Sequence, residues 1–141
     1  FGAEIVQFNE VEQAAAQTEG ISLILLDEFA RGTNPEEGAM IVRAVTRYLD
    51  KQPSVSVLTT HYDGVAALAS AHFEVKGLKD MDMAKVAEEI AASDGHIKGA
   101  DIIASHMNYG LYRAQGAESC PRDARNICAL LALNDEILKD I

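Results

Sequence analysis

The chain has no tryptophan, three prolines, two cysteines and only 6% aromatic residues among its 141. With Cys120 and Cys128 alone, no disulfide framework can be built, so a cytoplasmic location is the natural expectation. Positive charge is also scarce. Twelve Lys and Arg stand against 22 Asp and Glu, a net charge of −10. Nucleic-acid affinity comes mainly from Lys and Arg neutralising phosphates, and the basic residues here form no stripe and are not interleaved with aromatics. This region is therefore not expected to grip DNA itself. No apolar run reaches the ~18 residues of a membrane-spanning helix, and the start does not read as a leader, so no membrane partner is expected. Missing too is any GxxxxGK[ST] loop, the glycine-rich turn whose backbone amides cradle nucleotide phosphates. His72, His96 and His106 are too scattered to read as a metal site.

What is present is hydrophobic content of 48%, enough for one sizeable core in one domain or part of one. Because the chain opens on Phe1 rather than Met, it is expected to be cut from a longer protein. The most informative stretch is residues 23 to 38, LILLDEFARGTNPEEG. Leu23 to Leu26 read as a strand buried on both faces, as in a parallel sheet. Asp27 and Glu28 then fall at its carboxyl end, the edge where open α/β sheets bind ligands. Two adjacent carboxylates there suit phosphoryl transfer, one near Mg²⁺ and the other orienting the attacking water. On these residues alone, Asp27 capping a turn beside a solvated Glu28 fits equally well.

The next elements extend the pattern. Asn34 is a good N-cap, Pro35 suits the first helical position, and Glu37 stands three after the cap. A helix from about Pro35 to Asp50 carries Ile41, Val45, Tyr48 and Leu49 on one face, and Gln52-Pro53 ends it. Ser54 to Thr60 read as the next buried strand, completing a βαβ unit with Thr60 and His61 at its carboxyl end. Asp27, Glu28 and His61 are thus expected on one edge of two parallel strands. Before this unit, a helix from Glu4 to Gln17 would pack Ile5, Phe8, Val11 and Ala15 into the core. After it come a short Ala-rich helix (Asp63 to Ala71), a strand (His72 to Leu78) and a surface helix (Asp82 to Ala92). Ser93 to Gly110 is rich in Gly, Ser, Asp and Asn and reads as a loop, an internal binding segment or an insertion. Tyr109 to Gln115 could pair with the 72–78 strand, and Arg122 to Leu133 and Asn134 to Ile141 form a helix pair.

Taken together, DEFARGTNPEEG and the later TTHY resemble the ATPase domain of the MutS family, a branch of the ABC-type ATPases. In that family a Walker B strand ends in Asp-Glu and is followed by a Gly-Arg-Gly-Thr loop and an acidic-Gly pair. The next strand ends in Thr-His and an aromatic residue. The matching positions here are Leu25-Leu26-Asp27-Glu28, Arg31-Gly32-Thr33, Glu37-Gly38 and Thr60-His61-Tyr62. Phe1-Gly2-Ala3-Glu4-Ile5 resembles the stretch after the family's signature serine, and residues 112 to 141 resemble its closing segment more loosely. The chain departs from the pattern at Phe29-Ala30, where the family has a smaller aliphatic residue and Gly. It also departs at Asn34 for Ser and at Cys120-Pro121-Arg122 for Phe-Gly-Ile, and residues 79–108 have no clear counterpart. These departures mark a divergent branch. If the loop needs positive φ at position 30, Ala30 would be strained there.

The resemblance implies a partial P-loop NTPase fold of ABC type. It would have a largely parallel sheet flanked by helices, a closing β-hairpin and a C-terminal helix pair. Residues 1–141 would be the C-terminal part of the ATPase domain, with 79–108 a candidate insertion. By the same resemblance, Glu28 and His61 are the catalytic residues. Asp27 would hold Mg²⁺ through water, and Arg31, Gly32, Thr33 and Asn34 would form a loop contacting nucleotide across a subunit boundary. ATP and Mg²⁺ are the implied cofactors and a second ATPase subunit the implied partner, with DNA held only by domains outside this region. The implied function is a DNA mismatch repair ATPase. The alternative is a MutS-like ATPase acting on a protein, such as a reactivating factor for a cobalamin-dependent amino-acid mutase. Without a phosphate loop, the isolated chain should be inactive and bind MgATP weakly. Calorimetry on the isolated chain should register no micromolar binding, and a micromolar Kd would overturn this expectation.

Overall fold

A computed structural model of the chain describes residues 1–93, 96–114 and 123–141. They form two compact units, one holding Phe1–His72 and the other Phe73–Ala114 with 123–141. The expected pairing partner Gln115, the helix start at Arg122, and Ser119 and Cys120 lie outside the described residues.

In the first unit, helix α1 (Gly2–Ala16) leads into strand β1 (Ser22–Asp27), helix α2 (Pro35–Leu49) and strand β2 (Ser54–Thr59). The two strands pair in parallel, with Ser22 opposite Ser54 and Asp27 opposite Thr59. This is the expected βαβ unit. Its burial differs from expectation, because among the described residues only one face of the pair is covered. Ile24 is buried and Leu26 and Leu58 pack inward, whereas Leu23 and Leu25 are 65% and 68% exposed, and Val55 and Val57 lie exposed opposite them. Apolar content on both faces led to the expectation of two covered faces, but α2 covers one. The core of this unit gathers Phe29, Ala30, Val42 and Val65, with Ile5, Phe8, Ile41, Val45 and Tyr62 packed around them.

Helix α2 begins as its sequence dictates. The Asn34 side chain accepts the Glu36 N–H at 2.9 Å, Pro35 occupies the first turn, and Glu36 and Glu37 sit at the positive end of the dipole. Its fully buried seam is Gly38, Val42, Thr46 and Leu49. Tyr48, expected on the core face, is instead at the rim and donates its hydroxyl to Glu12 of α1. That bond to a carboxylate raises the Tyr48 pKa above the usual phenol value. In α1, Ile5 and Phe8 reach the core, the Phe8 ring meeting Phe29 at a centroid distance of 5.4 Å, while Val11 faces solvent. The Ala-rich helix expected from Asp63 to Ala71 is only a single 3₁₀ turn, Ala66–Leu68.

The second unit is built around strands β3 (Phe73–Gly77) and β4 (Asn108–Arg113), which pair antiparallel across the intervening segment as expected. That segment is ordered into helices α3 (Met83–Ala92) and α4 (His96–His106). The loop-like reading of Ser93 to Gly110 is therefore corrected. Its Gly and Asp content concealed Ile102, Ile103 and Met107, which join Leu78, Val86 and Ile90 in a second core. Helix α3 is correspondingly more than a surface helix. Its start is capped by Asp82, whose side chain accepts from Ala84 N and Lys85 N at 3.1 Å each. His106 and Glu89 join α4 to α3 at 2.8 Å. Helices α5 (Ala124–Leu130) and α6 (Asp135–Leu138) close the unit, Asn134 capping α6 as its sequence predicts. No helix among the described residues is long and apolar enough to cross a membrane.

Two stability outcomes follow from this packing. Val86 is 1% exposed, so Val86→Ala should cost about 2 kcal/mol from lost methyls and the void they leave. Removing the α2 cap with Asn34→Ala should cost about 1 kcal/mol. Both would be read as lower urea midpoints with an unchanged denaturant slope.

Candidate functional site

The parallel pairing of β1 and β2 brings two strand ends side by side at their carboxyl edge. Asp27 closes β1 and faces Thr59, which donates its hydroxyl to an Asp27 carboxylate oxygen. The Glu28 N–H reaches across to the same residue, 3.1 Å from the Thr59 carbonyl and 3.0 Å from its hydroxyl oxygen. Thr59 thereby holds both members of the acidic pair. Sequence reasoning passed over it as an ordinary strand residue, although parallel register alone would have set it opposite Asp27.

Beyond β1 the backbone turns sharply, with φ of 44° at Glu28 and 64° at Ala30. Left-handed backbone at two non-glycine positions costs about 1–2 kcal/mol each and persists only where surrounding contacts enforce it. The concern over Ala30 is therefore realised, since this chain keeps the positive φ without the glycine. Ala30 is fully buried, Phe29 is anchored against Phe8, and the Arg31 N–H closes the turn on the Glu28 carbonyl at 3.3 Å.

The turn presents the Glu28 side chain between two basic groups. Arg31 Nη1 donates to Glu28 Oε2 at 3.0 Å, and His61 Nδ1 lies 3.8 Å from Glu28 Oε1. The hydrogen bond to Glu28, then its charge, raise the Arg31 pKa above its usual value, with smaller contributions from Glu4 of α1 and Asp27. All three side chains are open to solvent, at 43% exposure for Glu28, 68% for Arg31 and 61% for His61. The structure thus brings together Asp27, Glu28, Arg31 and His61.

The remaining loop residues point elsewhere. Thr33 donates to Glu37 Oε2 at 3.3 Å and Asn34 caps α2, so both side chains are engaged at the helix start. Gly32 passes close to α1, where an added Cβ would lie 3.0 Å from the Phe1 nitrogen. Gly38 has a definite steric role. An added Cβ would stand 2.3 Å from the Tyr62 hydroxyl, which instead lies over α2 and donates to the Ala30 carbonyl at 3.2 Å.

Among the described residues, no group of three or more His, Cys, Asp or Glu side chains forms a metal cage. A single exposed carboxylate, Asp27, beside the Thr59 hydroxyl is a donor set that fits Mg²⁺. That ion keeps several waters and is bound through one or two carboxylates plus substrate phosphates.

A family model described as MutS domain V matches residues 1–131. The chain is 31% identical over 134 residues to the DNA mismatch repair protein MutS of Chloroflexus aurantiacus, covering 91% of this chain and 13% of that protein. It is 40% identical over 67 residues to Endonuclease MutS2 of Caldicellulosiruptor saccharolyticus, covering 41% of this chain and 8% of the relative. Against Endonuclease MutS2 of Synechocystis it is 47% identical over 55 residues, 38% of this chain and 7% of that protein. The chain therefore spans roughly a tenth of the length of these curated relatives. No solved structure gives a significant match. With a mixed α/β architecture, an Asp-Glu strand end facing a histidine across a parallel pair, and a domain model matched over nearly all its residues, the chain belongs to the MutS family, in the part described as domain V.

Proposed function

We propose that this chain supplies the hydrolytic half of a MutS-type ATPase site. The observation that carries the reading is the convergence of Asp27, Glu28 and His61 at one strand edge, with the Glu28 carboxylate between Arg31 and His61. Hydrolysis of a phosphoanhydride needs positioning and charge stabilisation more than covalent chemistry, and these groups provide both. Glu28, held by its turn at the sheet edge, orients a water for in-line attack on the terminal phosphate of ATP. His61 sits within reach of that carboxylate and offers its imidazole to the γ-phosphate oxygens. Asp27, with the Thr59 hydroxyl beside it, would hold Mg²⁺ through water. The ion, when bound, would neutralise charge on the β- and γ-phosphate oxygens.

Phosphate cradling falls to a glycine-rich loop that these 141 residues do not contain. Arg31 and Gly32 lie exposed beside the site, suited to meet a second ATPase subunit, while Thr33 and Asn34 fix the same loop to the start of α2. Nucleotide state would then be read out as opening and closing of that dimer. The net charge of −10 leaves DNA contact to other parts of the protein. In this reading the whole protein is a DNA repair ATPase. The same acidic surface, together with Ala30 in place of the usual glycine, supports a second reading in which the client is a protein.

The deciding experiment is ATP turnover by the complete polypeptide that carries this chain, with and without mismatched or branched DNA. Stimulation by DNA supports the repair reading, and indifference to DNA with stimulation by a protein client supports the second. In either case Glu28→Gln should leave ATP binding within about twofold and lower turnover by at least about 100-fold. Unchanged turnover would remove Glu28 from its role.

A further inference from the structure

The positive-φ turn that carries Glu28 has to be held in place by something other than backbone preference, because neither Glu28 nor Ala30 is glycine. Two side chains reach it from the neighbouring strand end: the Thr59 hydroxyl accepts the Glu28 N–H at 3.0 Å, and Tyr62 reaches Ala30. Tyr62 follows His61 directly, and its ring packs against the imidazole at a centroid distance of 4.6 Å and a tilt of 39°. Its own N–H is fixed by the Thr60 hydroxyl at 3.1 Å. The far end of the same side chain crosses to the turn and donates its hydroxyl to the carbonyl of Ala30 at 3.2 Å. Space for that crossing exists because position 38 of α2 is glycine.

We propose that Tyr62 is a positioning residue that couples the turn carrying Glu28 to the strand end carrying His61. The proposal rests on the reading of Glu28 and His61 as hydrolytic groups. It adds that their relative placement depends on the Tyr62 hydroxyl at Ala30 as well as on Thr59 at the Glu28 N–H. The Tyr62 hydroxyl is bonded to backbone, at Ala30, and its ring packs against the His61 imidazole. It acts through the Ala30 carbonyl, which belongs to a fully buried residue and loses its side-chain donor when the hydroxyl is removed. Without it, Ala30 is drawn back toward negative φ and Glu28, two residues earlier, swings away from His61. The ring of Tyr62 supplies core packing whether or not it carries a hydroxyl, so the two contributions can be separated.

The test uses the complete ATP-hydrolysing polypeptide and four forms: wild type, Tyr62→Phe, the double variant Tyr62→Phe with Ala30→Gly, and Glu28→Gln. Tyr62→Phe keeps the ring and should lower kcat roughly two- to tenfold, the range expected for one neutral hydrogen bond, with KM for ATP close to wild type and Tm lower by no more than about 4 °C. It should also speed hydrogen exchange at the Arg31 amide, which closes the turn. In the double variant, glycine takes φ near +64° without strain, so most of the lost kcat should return. Wild-type kcat in Tyr62→Phe, a loss that tracks KM or Tm instead, or no recovery when Ala30→Gly is added, would each overturn the proposal. Glu28→Gln separates the two levels. If it still hydrolyses ATP, the reading of the site fails and the role of Tyr62 with it. If it is inactive while Tyr62→Phe is not impaired, only the Tyr62 inference fails.

Discussion

The parallel pairing of β1 with β2 is the constraint on which the candidate site depends. Its register sets Asp27 opposite Thr59, and that places the Thr59 hydroxyl between the two acidic residues and His61 within 3.8 Å of Glu28. A slip of one residue would turn alternate side chains to the opposite face, carrying Ile24 and Leu26 off the core and Asp27 away from Thr59. Burial and chemistry are therefore specified by the same ladder. The inward-facing residues enforce a register that the polar strand ends then use.

The turn after β1 shows how much local conformation is imposed by packing. Phe29 and Ala30 are buried, and their burial carries the backbone through two positive-φ positions that alanine and glutamate do not favour. Strain held by a core in this way leaves a side chain in a direction that relaxed backbone would not give. Here the side chain is Glu28, which stays open to solvent with Arg31 hydrogen-bonded to it and His61 beside it. A solvent-open acid between two basic groups is a site to which a charged ligand can be added without first opening the fold.

The second unit has a different balance. Its antiparallel pair places Glu74 against the Tyr112 hydroxyl, and Lys79 lies 3.2 Å from that hydroxyl and 4.7 Å from the ring centroid. The Tyr112 hydroxyl thus links Glu74 to Lys79, and the unit's apolar residues come largely from helices α3, α4 and α5. The strand pair was legible in the sequence, whereas the helix α4 within it was not. Glycine and aspartate at 99 and 101 read as loop residues, yet Gly99 lies close to Leu131 and Ile90, where an added Cβ would meet them at 3.0 and 3.4 Å. In α4 the glycine serves close packing, and packing outweighed its poor helix propensity.

Local chemistry was legible in the sequence wherever one residue decides one geometry. Asn34 and Pro35 start α2, Asn134 caps α6, and the run ending in Asp27-Glu28 marks a strand edge. The motif spacing also carried the family, because Asp-Glu, Arg-Gly-Thr and Thr-His-Tyr recur at fixed positions along one βαβ unit. Tertiary contact decided the rest. Which face of β1 and β2 is covered depends on where α2 lies, and period-two reasoning cannot see that when both faces are apolar. That Thr59 holds Asp27 and Glu28, and that Tyr62 reaches the turn at Ala30, follows from strands 32 residues apart in sequence meeting side by side. The sequence by itself determined which chemical groups stand at the strand ends, since their identities need no partner. Only the folded chain decided which of them meet, since distance and direction between strands are properties of packing.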